Sequence, residues 1–372
     1  MGPFFEVDTN TSDPSGSQPI GGWPFYRSRF SFATISGFYD VQQNTSGTNY
    51  PWLNQYGWES FISGIPHPTA LIFAFGDKFL DAKVDNTTIS NFKTKVTFKK
   101  GLGEWSYTWT PVANGNQYQI VYQTFYSRQR PNVAATKVTI TASADVNGTI
   151  TDLLDGRSAA LSEPVASGLD DGNNTIHSSV HPLNLPNKVA HIISGVDLGR
   201  DAADISSRRR AEGAYVPAND TTIGQTFNIS LTAGQSATFY KYLGIASNDA
   251  FENAEKVARD AQASAQQAGW DALLNETSAA WSEIMTADSV DDFTDPETGE
   301  VPEDQNTLSL HVASVANTYY LLQQLMPDGS GLDDNSISVG GLGSDAYAGL
   351  IFWDADYWYV TSTNLETRML IK

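Results

Sequence analysis

Eight residues near the end of the printed sequence, 349–356, combine the side chain types that sugar-binding sites use. An apolar run leads into the aromatic pair Phe352 and Trp353, and the acids Asp354 and Asp356 follow. An aromatic ring packs on the C–H face of a pyranose, and a carboxylate accepts hydrogen bonds from neighbouring hydroxyls. The segment predicts a carbohydrate site. The residues are equally compatible with a core role for Trp353 and a helix-capping role for Asp354.

The composition argues against several other classes of function. The chain has 372 residues, no cysteine and a net charge of -20, from 22 Lys+Arg against 42 Asp+Glu. Without cysteine it forms no disulfide and has no thiol nucleophile or thiolate–metal site. The negative charge disfavours nucleic acid and anionic membrane surfaces, and no apolar stretch reaches the roughly 18 residues of a membrane span. We expect a neutral substrate and neither a nucleic-acid nor a membrane partner. The sequence does not indicate an oligomeric state.

The histidines give only a weak signal for a metal site. His177 and His181 are four residues apart, but their Ser/Asn/Pro-rich surroundings do not predict the helix that would bring them to one face. His311 falls on an apolar helical stripe, which favours a hydrogen-bonded core histidine. The sequence contains neither a Gly-x-Ser-x-Gly nucleophile motif nor a phosphate-binding P-loop. We expect no metal and no organic cofactor.

Asparagine motifs indicate the compartment. The N-x-S/T pattern of N-glycosylation acceptors occurs at Asn10, Asn44, Asn86, Asn147, Asn173, Asn219, Asn228 and Asn275. The set favours a glycosylated protein that is secreted or lies in the cell wall or vacuole; the alternative is a cytosolic protein rich in Asn and Thr. The sequence opens at Met1 without the basic and apolar regions of a signal peptide, so either the protein is cytosolic or its N-terminus lies upstream.

The first 250 residues are typical of an antiparallel β domain. Short runs rich in β-branched and aromatic residues recur, and several alternate apolar and polar positions. They include 96–98, 105–109, 118–122, 137–141, 190–194, 226–231 and 238–243. Turn signals separate them at Lys100-Gly101, Asn114-Gly115, Asn147-Gly148 and Asp171-Gly172. Closely spaced strands without helices between them predict a large antiparallel sandwich.

Helical patterns begin near Asn248. Asp249 and Glu252 have the spacing of a capping box, and an alanine stripe follows as far as Gly269. A second stretch carries Leu273, Leu274, Trp281 and Ile284, and the acidic, proline-containing residues 288–304 predict a loop. A third helix is predicted from 305 to 326, with an apolar stripe at Leu308, His311, Val312, Val315, Tyr319 and Leu322.

Several separated motifs resemble one family in the same order along the chain. They are residues 2–8, 22–25, 33–40, 48–49, 53–58 and 340–356. The chain resembles the fungal acid trehalases, α,α-trehalose hydrolases of glycoside hydrolase family 65. The resemblance implies an N-terminal antiparallel β-sandwich (supersandwich) at 1–247 whose first strands are missing. A helical linker at 248–302 would follow, and then the start of a truncated catalytic (α/α)6 barrel at 303–372.

The same resemblance implies roles for three residues. Trp353 would pack on the glucose ring, Asp354 would bind its hydroxyls and Phe352 would shape the pocket. The family hydrolyses trehalose with inversion, and its general acid and base would lie beyond residue 372, so we assign neither in this chain. Tyr359 to Asn364 depart from the family pattern. We therefore expect an enzyme fragment that is inactive as written. A disaccharide phosphorylase of the same family and a non-catalytic carbohydrate-binding sandwich are the alternatives.

Overall fold

The strands precede the α-helices along the described chain. A computed structural model describes residues 7–8, 28–29, 33–42, 59–81, 84–172, 174–199, 202–286 and 290–323. Within them the strands are β1 (Val7–Asp8), β2 (Ser28–Arg29), β3 (Thr34–Gln42), β4 (Glu59–Gly64), β5 (His67–Phe75), β6 (Lys78–Leu80), β7 (Ile89–Thr97), β8 (Leu102–Trp109), β9 (Tyr118–Tyr126), β10 (Val133–Ala142), β11 (Val146–Asp155), β12 (Ser162–Leu169), β13 (Thr175–Pro182), β14 (Ala190–Asp197), β15 (Ala203–Arg210), β16 (Ile223–Leu231) and β17 (Ser236–Ser247). The helices are α1 (Ala254–Ala268), α2 (Trp270–Ile284) and α3 (Gln305–Leu322).

Two antiparallel sheets hold most of the strands. The large sheet has the order β12-β13-β14-β17-β10-β9-β8-β7, and the small sheet has the order β15-β16-β11-β5-β6. The pairs β3–β4 and β1–β2 form separate two-stranded ribbons. The expectation of a mostly β N-terminal part followed by a few helices is confirmed.

The two sheets share one apolar core. The small sheet contributes Phe73 and Phe227, and the large sheet contributes Tyr122, Ile140 and Phe239. The Tyr122 hydroxyl spans the gap, because it donates to the Thr69 carbonyl (2.6 Å) and accepts from the Leu71 amide (2.8 Å). These contacts tie β9 of one sheet to β5 of the other. The alternation predicted for residues 118–122 matches the buried, inward-facing residues of β9.

Helices α1 and α2 cover the outer face of the large sheet. Trp270 and Leu273 pack on Phe125 and Tyr242 of that sheet. Helix α1 approaches β17 closely at Gly244, where a Cβ atom would lie 1.9 Å from the Ala258 carbonyl oxygen. The alanine stripe therefore marks close contact between the helix and sheet backbones.

One predicted turn is wrong. Asn147-Gly148 lies inside β11, with Asn147 opposite Ser230 of β16. A Cβ atom at residue 148 would lie 2.4 Å from Cδ1 of Phe75. The glycine is needed because an aromatic ring packs on the strand, and it does not form a hairpin turn.

The predicted capping box is also wrong. Helix α1 begins at Ala254, and its N-cap residue Asn253 makes no side-chain capping bond. Asp249 instead lies 2.6 Å from the Lys188 ammonium. Because a long-range ion pair holds its carboxylate, the local spacing to Glu252 does not set the start of the helix.

Helix α3 begins at an aspartate cap and differs from its predicted stripe at one position. The Asp304 carboxylate accepts from the Asn306 and Thr307 amides. Tyr319 and Leu322 are buried, whereas Val312 is 57% exposed. Among the described helices, none has the length and hydropathy that crossing a membrane requires.

Candidate functional site

The predicted sugar-binding residues Phe352, Trp353 and Asp354 lie outside the described residues. The structure describes the region that precedes them along the chain, where the sandwich holds helix α3. This region centres on residues 127–132, the loop between β9 and β10, which we call the arginine loop. Its side chains reach all three helices.

Arg128 of the arginine loop binds the end of helix α3. Its Nη1 donates to the Leu322 carbonyl at 2.9 Å, and its guanidinium lies 4.9 Å from the centre of the Trp281 ring. The residue is only 8% exposed, and burial lowers its pKa to about 10, so it stays charged at neutral pH. A cation at a helix C-terminus is favoured by the helix dipole, and the indole face adds a cation–π interaction.

An aromatic cluster surrounds this bond. The ring centres of Trp281 in α2 and Tyr319 in α3 are 4.4 Å apart, and those of Phe98 and Tyr319 are 5.2 Å apart. Gly101 has a φ of 59° and allows the close approach, because a Cβ atom there would lie 2.3 Å from Nε1 of Trp281. The predicted turn at Lys100-Gly101 is thus confirmed, and it forms part of the surface that supports α3.

Arg130 joins the same loop to the other two helices. Its guanidinium contacts both Glu276 carboxylate oxygens of α2, at 2.9 and 2.8 Å, and Ser264 of α1 at 2.8 Å. A two-point arginine–carboxylate contact fixes orientation as well as distance. Arg128 and Arg130 therefore position the helices relative to the sandwich.

A buried ion pair connects the two sheets. Lys241 of β17 lies 2.6 Å from Asp152 of β11, and their side chains are 0% and 1% exposed. The ammonium also donates to the carbonyls of Ala70 and Leu153, and the carboxylate accepts from Ser194. Burial lowers the pKa of Lys241, although the aspartate counteracts part of that effect. The pair is enclosed by protein, so we interpret it as a structural contact.

His177 and His181, whose spacing gave only a weak signal for a metal site, have separate hydrogen-bond partners. The Nδ1 of His177 lies 2.9 Å from Asp170, whereas the Nδ1 of His181 lies 2.7 Å from the Pro182 carbonyl. Among the described side chains, no group of three histidines or acids is arranged to hold a metal ion.

His311 differs from the prediction of a hydrogen-bonded core residue. It is half-buried beside Phe293, with 6.0 Å between ring centres, and its buried Nδ1 has no hydrogen-bond partner among the described residues.

Five predicted glycosylation sites can be placed. Asn86, Asn147, Asn219, Asn228 and Asn275 are all exposed. Asn147 and Asn228 line one open groove of about 730 Å³ on the outer face of the small sheet. Asn10, Asn44 and Asn173 lie outside the described residues.

Comparison with known proteins identifies the family. The family model described as "Glycosyl hydrolase family 65, N-terminal domain" matches residues 16–284, more than half of the chain. The chain belongs to glycosyl hydrolase family 65. The match covers the two sheets, the arginine loop and helices α1 and α2.

This family 65 chain is similar in sequence to fungal acid trehalases. It is 43% identical over 367 residues to an acid trehalase of Emericella nidulans, covering 96% of this chain and 34% of that protein. It is 38% identical to a cell wall acid trehalase of Arthroderma benhamiae, with the same coverage. The chain therefore spans about a third of the length of these relatives.

A solved structure shares the fold of this family 65 chain. It is a human-microbiome protein assigned as a kojibiose phosphorylase, with a TM-score of 0.64 and 16% sequence identity. The match covers 86% of this chain and 39% of that one. At this identity the likeness supports the fold alone.

Sequence reasoning missed the residues that organise this family 65 domain. Arg128 and Arg130 lie between two strongly alternating strands of an acidic chain, and this local excess of arginine was the available signal. Lys241 and Asp152 gave a different signal, because each is a charged residue at an inward-facing strand position. The pairing of such residues depends on contacts about 90 positions apart.

Proposed function

We propose that this chain is the N-terminal part of a secreted acid trehalase, which hydrolyses α,α-trehalose to two glucose molecules. The observation that carries the proposal is the 43% identity over 96% of the chain to an acid trehalase. The family match at residues 16–284 agrees with it. Hydrolysis would belong to the complete protein.

The proposed domain order is a sandwich at 1–247, a helical linker at 248–302 and the start of an (α/α)6 catalytic barrel at 303–372. In this arrangement α3 would be the first barrel helix. The Arg128 bond to α3 would then join the sandwich to the catalytic domain.

The proposed reaction is a single displacement with inversion. A general acid would protonate the oxygen between the two glucose units while a general base activates water on the opposite face of the sugar. Trp353 would pack on one glucose ring, Asp354 would accept hydrogen bonds from its hydroxyls and Phe352 would shape the pocket. Both proton-transfer groups would come from outside residues 1–372, and the reaction would need no metal or organic cofactor.

The direct test is glucose release from trehalose by the complete protein, with and without inorganic phosphate. Hydrolysis gives two glucose molecules without phosphate, whereas a phosphorylase requires phosphate and forms a glucose phosphate. Early NMR spectra should show equal amounts of the α and β anomers, because inversion releases one β-glucose and the leaving group is α-glucose. Phosphate-dependent turnover would reject the trehalase proposal in favour of the phosphorylase.

Two substitutions test the sugar site. Trp353→Ala and Asp354→Asn should each lower kcat/KM for trehalose by about tenfold or more, since about 1.4 kcal/mol of binding free energy corresponds to a factor of ten. Phe92→Leu, at an exposed position of β7, is the aromatic control. Unchanged kcat/KM in both site variants would reject the assignment. Sugar binding by residues 1–250 alone would support the binding-module alternative.

The proposed location is the cell wall, the secreted fraction or the vacuole. The eight glycosylation motifs and the name of the Arthroderma benhamiae relative support it. No protein partner is proposed.

A further inference from the structure

Two glycosylation motifs face each other across a pair of strands. The register of β11 and β16 places Asn147 opposite Ser230 and Thr149 opposite Asn228. Each acceptor asparagine therefore lies opposite the hydroxyl residue of the other motif. Diagonal neighbours on paired strands are about 7–8 Å apart, so the two asparagines are close neighbours.

The four motif side chains point away from the core. Along β16, Phe227 and Ile229 are buried between the sheets, and the alternating positions Asn228 and Ser230 are exposed. Along β11, Ile150 fills the same core and Asn147 is exposed. Because side chains alternate along a strand, both motifs face solvent on the outer surface of the small sheet.

An open groove of about 730 Å³ lies beside these asparagines. Small residues of the neighbouring strands line it together with the two motifs: Ala74, Gly76, Gly148, Ala202 and Ala203. Asp204 also lines the groove, and its carboxylate accepts from the backbone and hydroxyl of Ser206. Ile229 also lines the groove, but its side chain is buried in the core between the sheets.

The side-chain amide nitrogens of both asparagines are available. The Asn147 Oδ1 accepts from the Ser230 hydroxyl at 2.8 Å, and the Asn228 Oδ1 accepts from Arg209 at 3.0 Å. Neither Nδ2 donates a hydrogen bond to another described residue. Asn219 differs, because its Nδ2 donates to the Gly156 carbonyl at 3.4 Å and its Oδ1 accepts from the Thr221 amide and hydroxyl.

We propose that Asn147 and Asn228 both carry N-linked glycans and that the first sugars of these glycans lie in the shared groove. Attachment occurs at Nδ2, so the two contacts made by Oδ1 are retained. The sugars would pack on the small-residue surface and hydrogen-bond to Thr149 and Ser230. The inference rests on the proposed secretory location and not on trehalose hydrolysis.

The chemistry of attachment requires a lipid-linked oligosaccharide donor of the secretory pathway. The asparagine Nδ2 attacks the anomeric carbon of the donor and forms the N–C1 bond. The bond from C1 to the pyrophosphate oxygen breaks, and the lipid pyrophosphate leaves with the electron pair. The Nδ2 proton passes to a base, and no oxidation or reduction takes place.

The test is a site-by-site glycopeptide map of the chain secreted from a eukaryotic host, followed by timed removal of glycans with a peptide N-glycosidase. On the folded protein, release from Asn147 and Asn228 should be about tenfold slower than from Asn86 and Asn275, which lie on other surfaces. A tenfold ratio corresponds to about 1.4 kcal/mol of contact between sugar and groove. After denaturation the four rates should become equal.

Matched variants assign the slow release to each motif. Thr149→Ala should remove the Asn147 glycan while retaining that asparagine, and Ser230→Ala should do the same for Asn228. Ser230→Thr keeps the second motif and should keep its slowly released glycan. Thr88→Ala, which removes the Asn86 motif, should leave slow release at the groove unchanged.

The map separates this inference from the location proposal. Sugar at Asn86 or Asn275 with none at Asn147 and Asn228 overturns the groove inference alone. Equal release rates from all four folded sites overturn it as well. An unmodified chain, with no glycan at any of the eight motifs, overturns both the inference and the secretory location.

Discussion

Replacing Arg128 by alanine should detach helix α3 from the sandwich while the sheets stay folded. The substitution removes the 2.9 Å bond to the Leu322 carbonyl and the contact with the Trp281 ring. A hydrogen bond from a charged donor contributes about 1.5–3 kcal/mol, and a cation–π contact contributes about 0.5–2 kcal/mol. The two share one guanidinium and are not additive, so a combined loss of about 2–3 kcal/mol is expected.

Hydrogen exchange measures this loss where it occurs. If α3 exchanges by local opening, a loss of about 2–3 kcal/mol speeds exchange of its amides by about 30- to 150-fold. Amides of the central strands β10 and β17 exchange by a more global opening, so their rates should change much less. Limited proteolysis within residues 290–304 should accelerate in parallel.

The neighbouring Arg130 provides the matched control. It binds Glu276 and Ser264 of the other helices, and its ion pair is about one-third exposed, with side-chain values of 31% and 34%. Arg130→Ala should therefore leave α3 exchange within about threefold of wild type, since exposed pairs contribute about 0–1 kcal/mol. If Arg128→Ala leaves α3 exchange unchanged, or if both variants accelerate all strands equally, then Arg128 does not anchor α3.

Three further perturbations test the sandwich. Asp152→Asn should lower the free energy of unfolding, measured in urea, by about 3–5 kcal/mol because it leaves the Lys241 charge buried without its partner. The double variant Asp152→Leu with Lys241→Met should recover most of that stability. A double variant as unstable as Asp152→Asn would contradict this account. Gly244→Val should lower the free energy of unfolding by more than about 2 kcal/mol, since the valine side chain would clash with the Ala258 carbonyl. If the variant is as stable as wild type, helix α1 can shift to make room. Burial, with Lys241 nearby, lowers the pKa of His67 to about 3, so the folded state holds this imidazole neutral. The unfolded chain takes up the proton first, and the free energy of unfolding should fall as the pH drops below about 6.5, by about 3 kcal/mol near pH 4.5. The difference in unfolding free energy between wild type and His67→Gln, measured against pH, should show this slope, and parallel curves would rule it out.

The strands were predictable because buried and exposed positions alternate between neighbouring residues of one strand. Strand β9 alternates buried and exposed positions from Tyr118, which is the signal that its sequence carries. Gly148 shows where the local signal fails. An Asn-Gly pair favours a turn in isolation, but the Phe75 ring on the neighbouring strand needs the space that glycine leaves.

The partners of charged side chains were less predictable. Asp249 has the spacing of a helix cap, yet Lys188 engages its carboxylate. The carbonyl that Arg128 binds at the end of α3 is 194 residues away in sequence, so no local pattern predicts this bond. Charge pairing over such distances depends on the assembled fold. The sugar-site residues Phe352, Trp353 and Asp354 were suggested by their chemistry and by family resemblance, and they stay predictions.

The anchoring of α3 by the arginine loop has a limited effect on the position of the proposed sugar-binding residues. Phe352 follows Leu322 by 30 residues, a length that could extend about 100 Å if stretched. Holding the end of α3 therefore does not by itself fix the position of Trp353 or Asp354. Loss of Arg128 should lower the fraction of molecules with α3 docked, whereas loss of Trp353 should weaken sugar binding in every molecule. In the complete protein, Arg128→Ala should reduce kcat with little change in KM, and Trp353→Ala should raise KM. An equal rise in KM for both variants would mean that the sandwich positions the sugar site directly.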